Sequence, residues 1–266
     1  MSVHPLPVLV LSPRFGPDSI ALATEATRLG WSVHRLHDRR PPARLAEEPL
    51  VFYGESLLAD TVGRALKLAL LEPAADTLTS LPVELLRRDV RFTTLGDARG
   101  ESFPRFVKPA DEKRFRAAVY ASADALPGPG LLEEELPVVT AEPVDWRDEY
   151  RCFVLEGRVV ATSPYAWKGE REESSGAAFE VEAARTFAAE VLARAGGVFP
   201  PAVVLDVGRI EGRGWAVVEA NPAWSSGLYE CDPAEVLRVL QRATSSARSP
   251  APGEARWLRD LPEVEG

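Results

Sequence analysis

The sequence predicts a mixed α/β (α+β) chain, and three features predict it. The N-terminal part alternates apolar and amphipathic runs in the order strand, helix, strand, the pattern of a βαβ unit with a parallel sheet. Later runs such as VVTAEPV, EYRCFVLEG and RVVATSPYAW alternate as antiparallel strands do. At 266 residues the chain also exceeds the usual single compact core, so two or three packed subdomains are expected.

Taken in order, PVLVLS is a continuous apolar strand, FGPDSIALATEATRLG a helix stopped by Gly30, and WSVHRL a second strand. His34, His37 and Asp38 lead into a Pro- and Arg-rich surface loop, after which LVFYGE returns as a strand. SLLADTVGRALKLALLEP is apolar at i, i+3 and i+4 and predicts one helix ending at Pro73. LTSLPVELLRR predicts a short helix capped near Ser80. PRFVKP reads as a strand ending at Lys108-Pro109, EKRFRAAVYAS as a helix and LPGPG as a loop. The antiparallel run turns at Glu156-Gly157. VEAARTFAAEVLARAGG is a helix ending on two glycines. A hairpin, VVLDVGRIEGRGWAVVEAN, and a last helix, AEVLRVLQRAT, follow. Ser245 to Gly253 has linker composition, and Trp257 and Leu258 predict a tail that docks back.

Composition narrows the partners. The chain is 45% hydrophobic and 27% charged, ordinary for a globular protein, and its net charge of −9 disfavours nonspecific nucleic-acid binding. Leu6 to Leu11 is the only apolar run near the start, too short for a bilayer and without a basic flank. No nucleic-acid or membrane partner and a cytoplasmic location are therefore expected. Cys152 and Cys231 lack metal-ligand spacing and read as reduced thiols.

The hairpin holds the chemistry. Along its strands Val204, Asp206 and Gly208 share one face, and Val217, Glu219 and Asn221 share another. A two-residue turn at Gly212-Arg213, or a four-residue loop from Glu211 to Gly214, sets Asp206 directly opposite Glu219. An odd-length loop needs a bulge to do so. Opposed Cβ atoms lie about 4.5–5.5 Å apart, so two ionised carboxylates there repel. A shared proton, an Arg or Lys between them, or a cation relieves this. Two carboxylates and the Asn221 amide oxygen form a ligand set for a hard divalent ion, most often Mg²⁺ at a substrate phosphate. The alternative is a hairpin whose acids face water beside Arg209 or Arg213.

Other residues match further parts of an ATP site, although a lysine at a strand end such as Lys108 is, taken alone, more often solvated than a ligand. Lys108 ends its strand, Glu142 lies in VVTAEPV, Glu149 and Arg151 in EYRCFV, and Lys168 follows SPYAW. Cations for phosphate, a carboxylate for ribose and acids for Mg²⁺ are the components required. No Walker-type loop, dinucleotide fingerprint, H-E-x-x-H or G-x-S-x-G is present.

In this order, strand-Lys-Pro, E-Y-R-x-F-V, L-D-V-G and V-V-E-A-N-P resemble the ATP-grasp superfamily. F-V-K-P-A, the E-x-R strand, S-P-Y and V-E-A-N-P-A-W-S-S-G are similar to its clade named for two arginines and a lysine. The likeness covers roughly Arg88 to Leu240. It implies an ATP-grasp fold at 86–244, with a central subdomain at about 86–140 and a C-terminal one at about 141–244. A Rossmann-like pre-ATP-grasp domain at 1–85 would precede it and a linker and tail at 245–266 follow.

The resemblance also implies roles. Lys108 would reach the α/β phosphates, and Val138 to Val144, including Val139 and Ala141, would hold adenine by backbone groups with Glu142 close by. Glu149 would take the ribose hydroxyls. Arg151 and Lys168 would be catalytic, facing phosphate or the acylphosphate, and Asp206, Glu219 and Asn221 would hold Mg²⁺. Ser225, Ser226 and Gly227, leading a helix, would offer N–H groups to an anion, and Arg88 would belong to the arginine pair. The implied activity joins a carboxylate to an amine, with a peptide or protein end among the substrates. A non-catalytic Mg·ATP-binding module and a kinase-like phosphotransferase are the alternatives. The chain departs from the family in its phosphate loop: between the Lys strand and the hinge only Leu126 to Gly130 is Gly-rich. Glu170 to Ala178 is the other segment able to cover phosphates. Trp224 either walls the substrate pocket or packs, as do Tyr165 and Trp167 at adenine. Glu133 to Glu135, Arg114 and Arg116 read as solvated.

Overall fold

Val8–Leu11 (β1) is apolar and buried at all four positions, as a parallel strand covered on both faces must be. It lies between β2 (Ser32–Arg35) and β3 (Leu50–Tyr53), both parallel to it. Helix α1 (Pro17–Arg28) connects β1 to β2 and starts with proline in its first turn. The computed structural model describes residues 5–38, 40–110, 114–167, 180–195, 197–246 and 253–261.

Helix α2 (Ser56–Leu66) is shorter than its periodicity predicts. Lys67 turns left-handed at φ 54°, and Leu68–Leu70 leaves as a strand, β4. LALL is apolar throughout, so its period does not separate helix from buried strand; β4 finds its partner far along the chain, in β13 (Thr244–Ser246). The expected linker thus begins as a strand, and residues 247–252 lie outside the described residues. Ser80 closes a 3-10 turn instead of capping a helix; helix α3 (Val83–Leu86) starts after Pro82.

A second sheet combines β5 (Val90–Thr94), β6 (Arg105–Pro109), β7 (Ala118–Tyr120) and β8 (Pro137–Ala141) in the order β5-β8-β6-β7, beside the short helix α4 (Leu95–Ala98). The helix predicted over EKRFRAAVYAS is corrected here: Ala118–Tyr120 is the edge strand on β6, Phe106 facing Val119. Val119 and Tyr120 suit a strand, and pairing with an open sheet edge outweighs the local helical spacing.

The third sheet, β10-β9-β11-β12, is wholly antiparallel: β9 (Trp146–Leu155), β10 (Arg158–Trp167), β11 (Ala202–Ile210) and β12 (Gly214–Asn221). Glu156 and Gly157 turn β9 into β10 with φ of 48° and 71°, the two left-handed positions of a type I′ turn. Helix α5 (Val181–Ala195) covers one face of this sheet through Phe187, Ala188 and Val191. The other face is covered by α6 (Pro233–Ala243) and the parallel sheet, in one core containing Val10, Phe52, Phe153, Val204, Trp224 and Leu240. Asp232 caps α6, accepting from the Ala234 N–H at 2.9 Å.

Trp224 and the C-terminal tail help to tie the N-terminal part of the chain to the rest. Trp224 is fully buried and donates its indole N–H to the Leu71 carbonyl at 2.9 Å; its own carbonyl accepts from the Gly54 N–H at 3.0 Å. It is a packing anchor, not a pocket wall. The tail docks as expected: the Glu72 N–H donates to Trp257 O and the Arg259 N–H to Leu70 O, both at 2.8 Å. Arg259 also pairs with Asp60 at 2.7 Å and Glu72 at 2.9 Å.

Candidate functional site

Asp206 does face Glu219, but by a different route from the even-length turn. Ile210 pairs with Gly214, leaving Glu211, Gly212 and Arg213 as a three-residue loop, and the register shifts between Asp206–Glu219 and Val207–Val217. Val218 is the extra residue, a β-bulge. The bulge corrects a second expectation: Val217 does not share a face with Glu219 and Asn221. Val217 enters the core under α5, while Glu219 turns to the opposite face with Asp206. Arg88, buried on α3's exit, holds the bulge by donating to the carbonyls of Val217 at 2.6 Å and Val218 at 2.9 Å. Its place is that of a bulge clamp, over the Trp146 ring at 5.0 Å.

Gly208 shows how closely β9 and β11 approach. A Cβ there would lie 2.6 Å from the Asp148 carbonyl and 3.2 Å from Glu149 Cγ, so the glycine of L-D-V-G has no room for a side chain.

The opposed acids are relieved by cations already in the chain. Arg151, opposite Asp206 on β9, donates to both its oxygens, Nε at 3.0 Å and Nη2 at 2.7 Å. Lys108 reaches across from β6 to Glu219 at 2.7 Å. Asn221 donates from Nδ2 to both acids, at 3.1 Å to Asp206 and 2.9 Å to Glu219. Burial would raise Glu219, but the Lys108 ammonium, its hydrogen bond, Asn221 and Arg151 together hold it down to about 2. Burial pushes the fully enclosed Asp206 upward despite Arg151. Burial also works against the Arg151 charge, and the Asp206 carboxylate outweighs it, keeping the guanidinium protonated. Arg209 and Arg213 take no part: they pair with Asp148 and Glu142.

Arg151 is enclosed further by Gly227, whose carbonyl accepts at 3.1 Å, and by the stacked rings of Tyr165 and Tyr229, at 5.4 and 5.0 Å. Tyr165 donates to Glu149 at 2.8 Å. Burial lifts Glu149 to about 7, with the charges of Asp206 and Glu219 adding to it against the Tyr165 hydrogen bond. The folded chain therefore holds this proton more tightly than the unfolded chain. Stability conferred by that proton is complete below about pH 4.5 and lost as the pH rises through about 7, on the order of 3 kcal/mol in all. In Glu149→Gln the loss should vanish: urea unfolding should show the variant gaining on wild type between about pH 5 and about pH 8, and parallel curves would refute the shift.

The remaining expected residues are placed as follows. Val139 and Ala141 lie on β8, an interior strand flanked by β5 and β6. The ladders on either side occupy their backbone groups and end at Ala141. Glu142 N–H donates to Asp89 O at 2.9 Å, and its carboxylate pairs with Arg213 at 2.6 Å. Ser225 and Ser226 donate their N–H groups to Pro222 O and Ala223 O in a single 3-10 turn, not the start of an α-helix; the Ser226 hydroxyl returns to Pro222 O at 2.8 Å. Lys168 and 170–178 lie outside the described residues. Arg114 pairs with Glu133 at the surface. Asp18 and Tyr53 were not anticipated: Asp18 accepts from the Leu228 N–H at 3.1 Å and from Tyr53 Oη at 3.3 Å, bringing the N-terminal layer against the loop that holds Arg151. Only an acid near a helix start signalled it.

Among the described residues no cluster of three or more His, Cys, Asp and Glu is placed to hold a metal. Two carboxylates and an amide nevertheless converge, a donor set that fits Mg²⁺ when phosphate and water complete its oxygens. No helix among the described residues is long and apolar enough to cross a membrane.

Solved structures share the fold. N5-carboxyaminoimidazole synthetase from Staphylococcus aureus is similar at a TM-score of 0.55 and 11% identity, covering 89% of this chain and 77% of that one. The L-amino acid ligase from Bacillus licheniformis gives 0.52 and 13%, covering 91% and 75%. D-alanine–D-alanine ligase from Bacillus anthracis, complexed with ATP, gives 0.50 and 13%, covering 90% and 96%. No curated protein matches the chain. Residues 85–239, more than half of the chain, match the model for family 2 of the ATP-grasp domain clade named for two arginines and a lysine, and the protein belongs to that family.

Proposed function

We propose that the protein is an ADP-forming ligase that uses ATP and Mg²⁺ to join a carboxylate to an amine. The observation that carries this reading is the convergence of Lys108 from one sheet with Glu219, Asp206 and Asn221 from another. Lys108 would exchange Glu219 for the α/β phosphates, and Asp206, Glu219 and the flipped amide of Asn221 would hold Mg²⁺. When bound, Mg²⁺ would offset charge on the transferring phosphoryl group. Glu149, kept from solvent, would accept from the ribose hydroxyls, which favour its ionised form. Adenine would meet the backbone beyond Ala141, from Glu142 to Val144.

The substrate carboxylate attacks the γ-phosphorus as ADP leaves, and the amine then displaces phosphate from the acylphosphate. The chain supplies position and charge, not a nucleophile. Arg151 is committed to Asp206 and the Gly227 carbonyl, so its role is to orient a metal ligand; Lys168 remains the proposed phosphate contact.

Calorimetric titration with ATP tests this. Wild type should bind more tightly with Mg²⁺, and Glu219→Gln should lose that enhancement, roughly tenfold or more. Carboxylate- and amine-dependent ADP release would establish the ligase. Tight Mg·ATP binding with no release for any pair would leave a binding module, and a stable phosphorylated product a phosphotransferase.

A further inference from the structure

Both carboxylates expected to hold Mg²⁺ already have partners. Asp206 is held by Arg151, Glu219 by Lys108, and both by the Nδ2 of Asn221. Two acids and two cations leave this cluster neutral. An amide nitrogen cannot ligate a metal, so Asn221 faces the acids with the wrong end. A dication arriving alone would have to displace Lys108, turn Asn221 over, and leave two uncompensated positive charges in a partly buried site. A polyphosphate offers the displaced Lys108 ammonium a new anion, supplies the negative charge that the metal alone would leave uncompensated, and brings oxygens for it.

We propose that Lys108 is a built-in substitute for the metal: it locks the ligand-free site, so that a divalent cation binds only together with a nucleoside polyphosphate. This rests on the nucleotide reading above. The lock also bridges the sheets, since Lys108 is on β6 and Glu219 on β12. Its side chains are 21% and 32% exposed, close enough to solvent for the pair to exchange partners without breaking the core.

Mn²⁺ retained with the full chain on equilibrium dialysis, above what the same free non-hydrolysable ATP analogue holds in the protein-free compartment, is a direct probe. Wild type should take up Mn²⁺ with the analogue and not without it. Lys108→Met should bind Mn²⁺ alone about tenfold more tightly than wild type, while Lys108→Arg should behave as wild type. Asn221→Asp, which keeps Lys108 but exchanges the donor amide for a third carboxylate, should also gain analogue-independent uptake. Thermal melting identifies which variants are folded.

The lock is overturned if wild type binds Mn²⁺ alone as tightly as Lys108→Met. It is equally overturned if folded Lys108→Met and Asn221→Asp both gain nothing while wild type still binds Mn²⁺ with the analogue. If wild type takes up no Mn²⁺ even with the analogue, the nucleotide-site reading fails and the lock with it.

Discussion

Asp206→Ala should lower the unfolding free energy by about 3–5 kcal/mol, the usual result of removing one partner from a buried ion pair. Asp206 is fully enclosed and Arg151 is 9% exposed at its side chain. Without the acid, a guanidinium stays in a site with no other ionised partner bonded to it among the described residues. Arg151 cannot relieve the strain by losing its proton. The Gly227 carbonyl and two tyrosine rings would remain its contacts. The double variant Asp206→Leu with Arg151→Met should recover much of the loss, because a buried pair replaced by apolar groups of similar volume is often nearly neutral. Urea denaturation of the two single variants and the double completes the cycle. A loss below about 1 kcal/mol in Asp206→Ala would mean that water reaches the pair, against its burial.

Arg88→Met should cost about 2–3 kcal/mol and weaken Mg·ATP binding by tenfold or more, although Arg88 touches none of the proposed ligands. Burial lowers Arg88 to about 10 against the fields of Glu149, Glu219 and Glu142, so its charge sits there at a cost. Methionine removes that cost but leaves the Val217 and Val218 carbonyls unpaired, and each such group is expensive when buried. The bulge is then free to relax, and Glu219 loses its fixed place opposite Asp206. Arg88→Lys should not rescue it, since an ammonium lacks the planar fork that spans two adjacent carbonyls. Unfolding free energy and calorimetric Kd together decide this: a stability loss with unchanged affinity would make Arg88 a packing residue only.

Much of this was legible beforehand, for physical reasons. Asp206 and Glu219 could be paired on paper because side chains alternate along strands, and the need for a positive partner followed from repulsion. Which positive partner was not legible: Lys108 and Arg151 approach through contacts between segments far apart in sequence. The bulge escaped because one extra residue changes the strand's phase without any local mark; Val217 and Val218 are equally apolar. The strands at Leu68–Leu70 and Ala118–Tyr120 escaped because short apolar runs take their structure from whichever sheet edge accepts them. Glu156-Gly157 was legible because a type I′ turn depends on its own two residues alone.

The core shared by the parallel sheet, α6 and the four-stranded sheet decides which part of the chain can stand alone. The stretch that matches the family, 85–239, ends inside α6, and contains neither Val10 and Phe52, which belong to the same core as Phe153, Val204 and the α6 residues, nor the Leu71 carbonyl that receives Trp224. Cut out by itself, that stretch would present an apolar wall to water. The matched stretch is smaller than the unit that packs as one core, and a transplanted copy of it would need a neighbour to lean on.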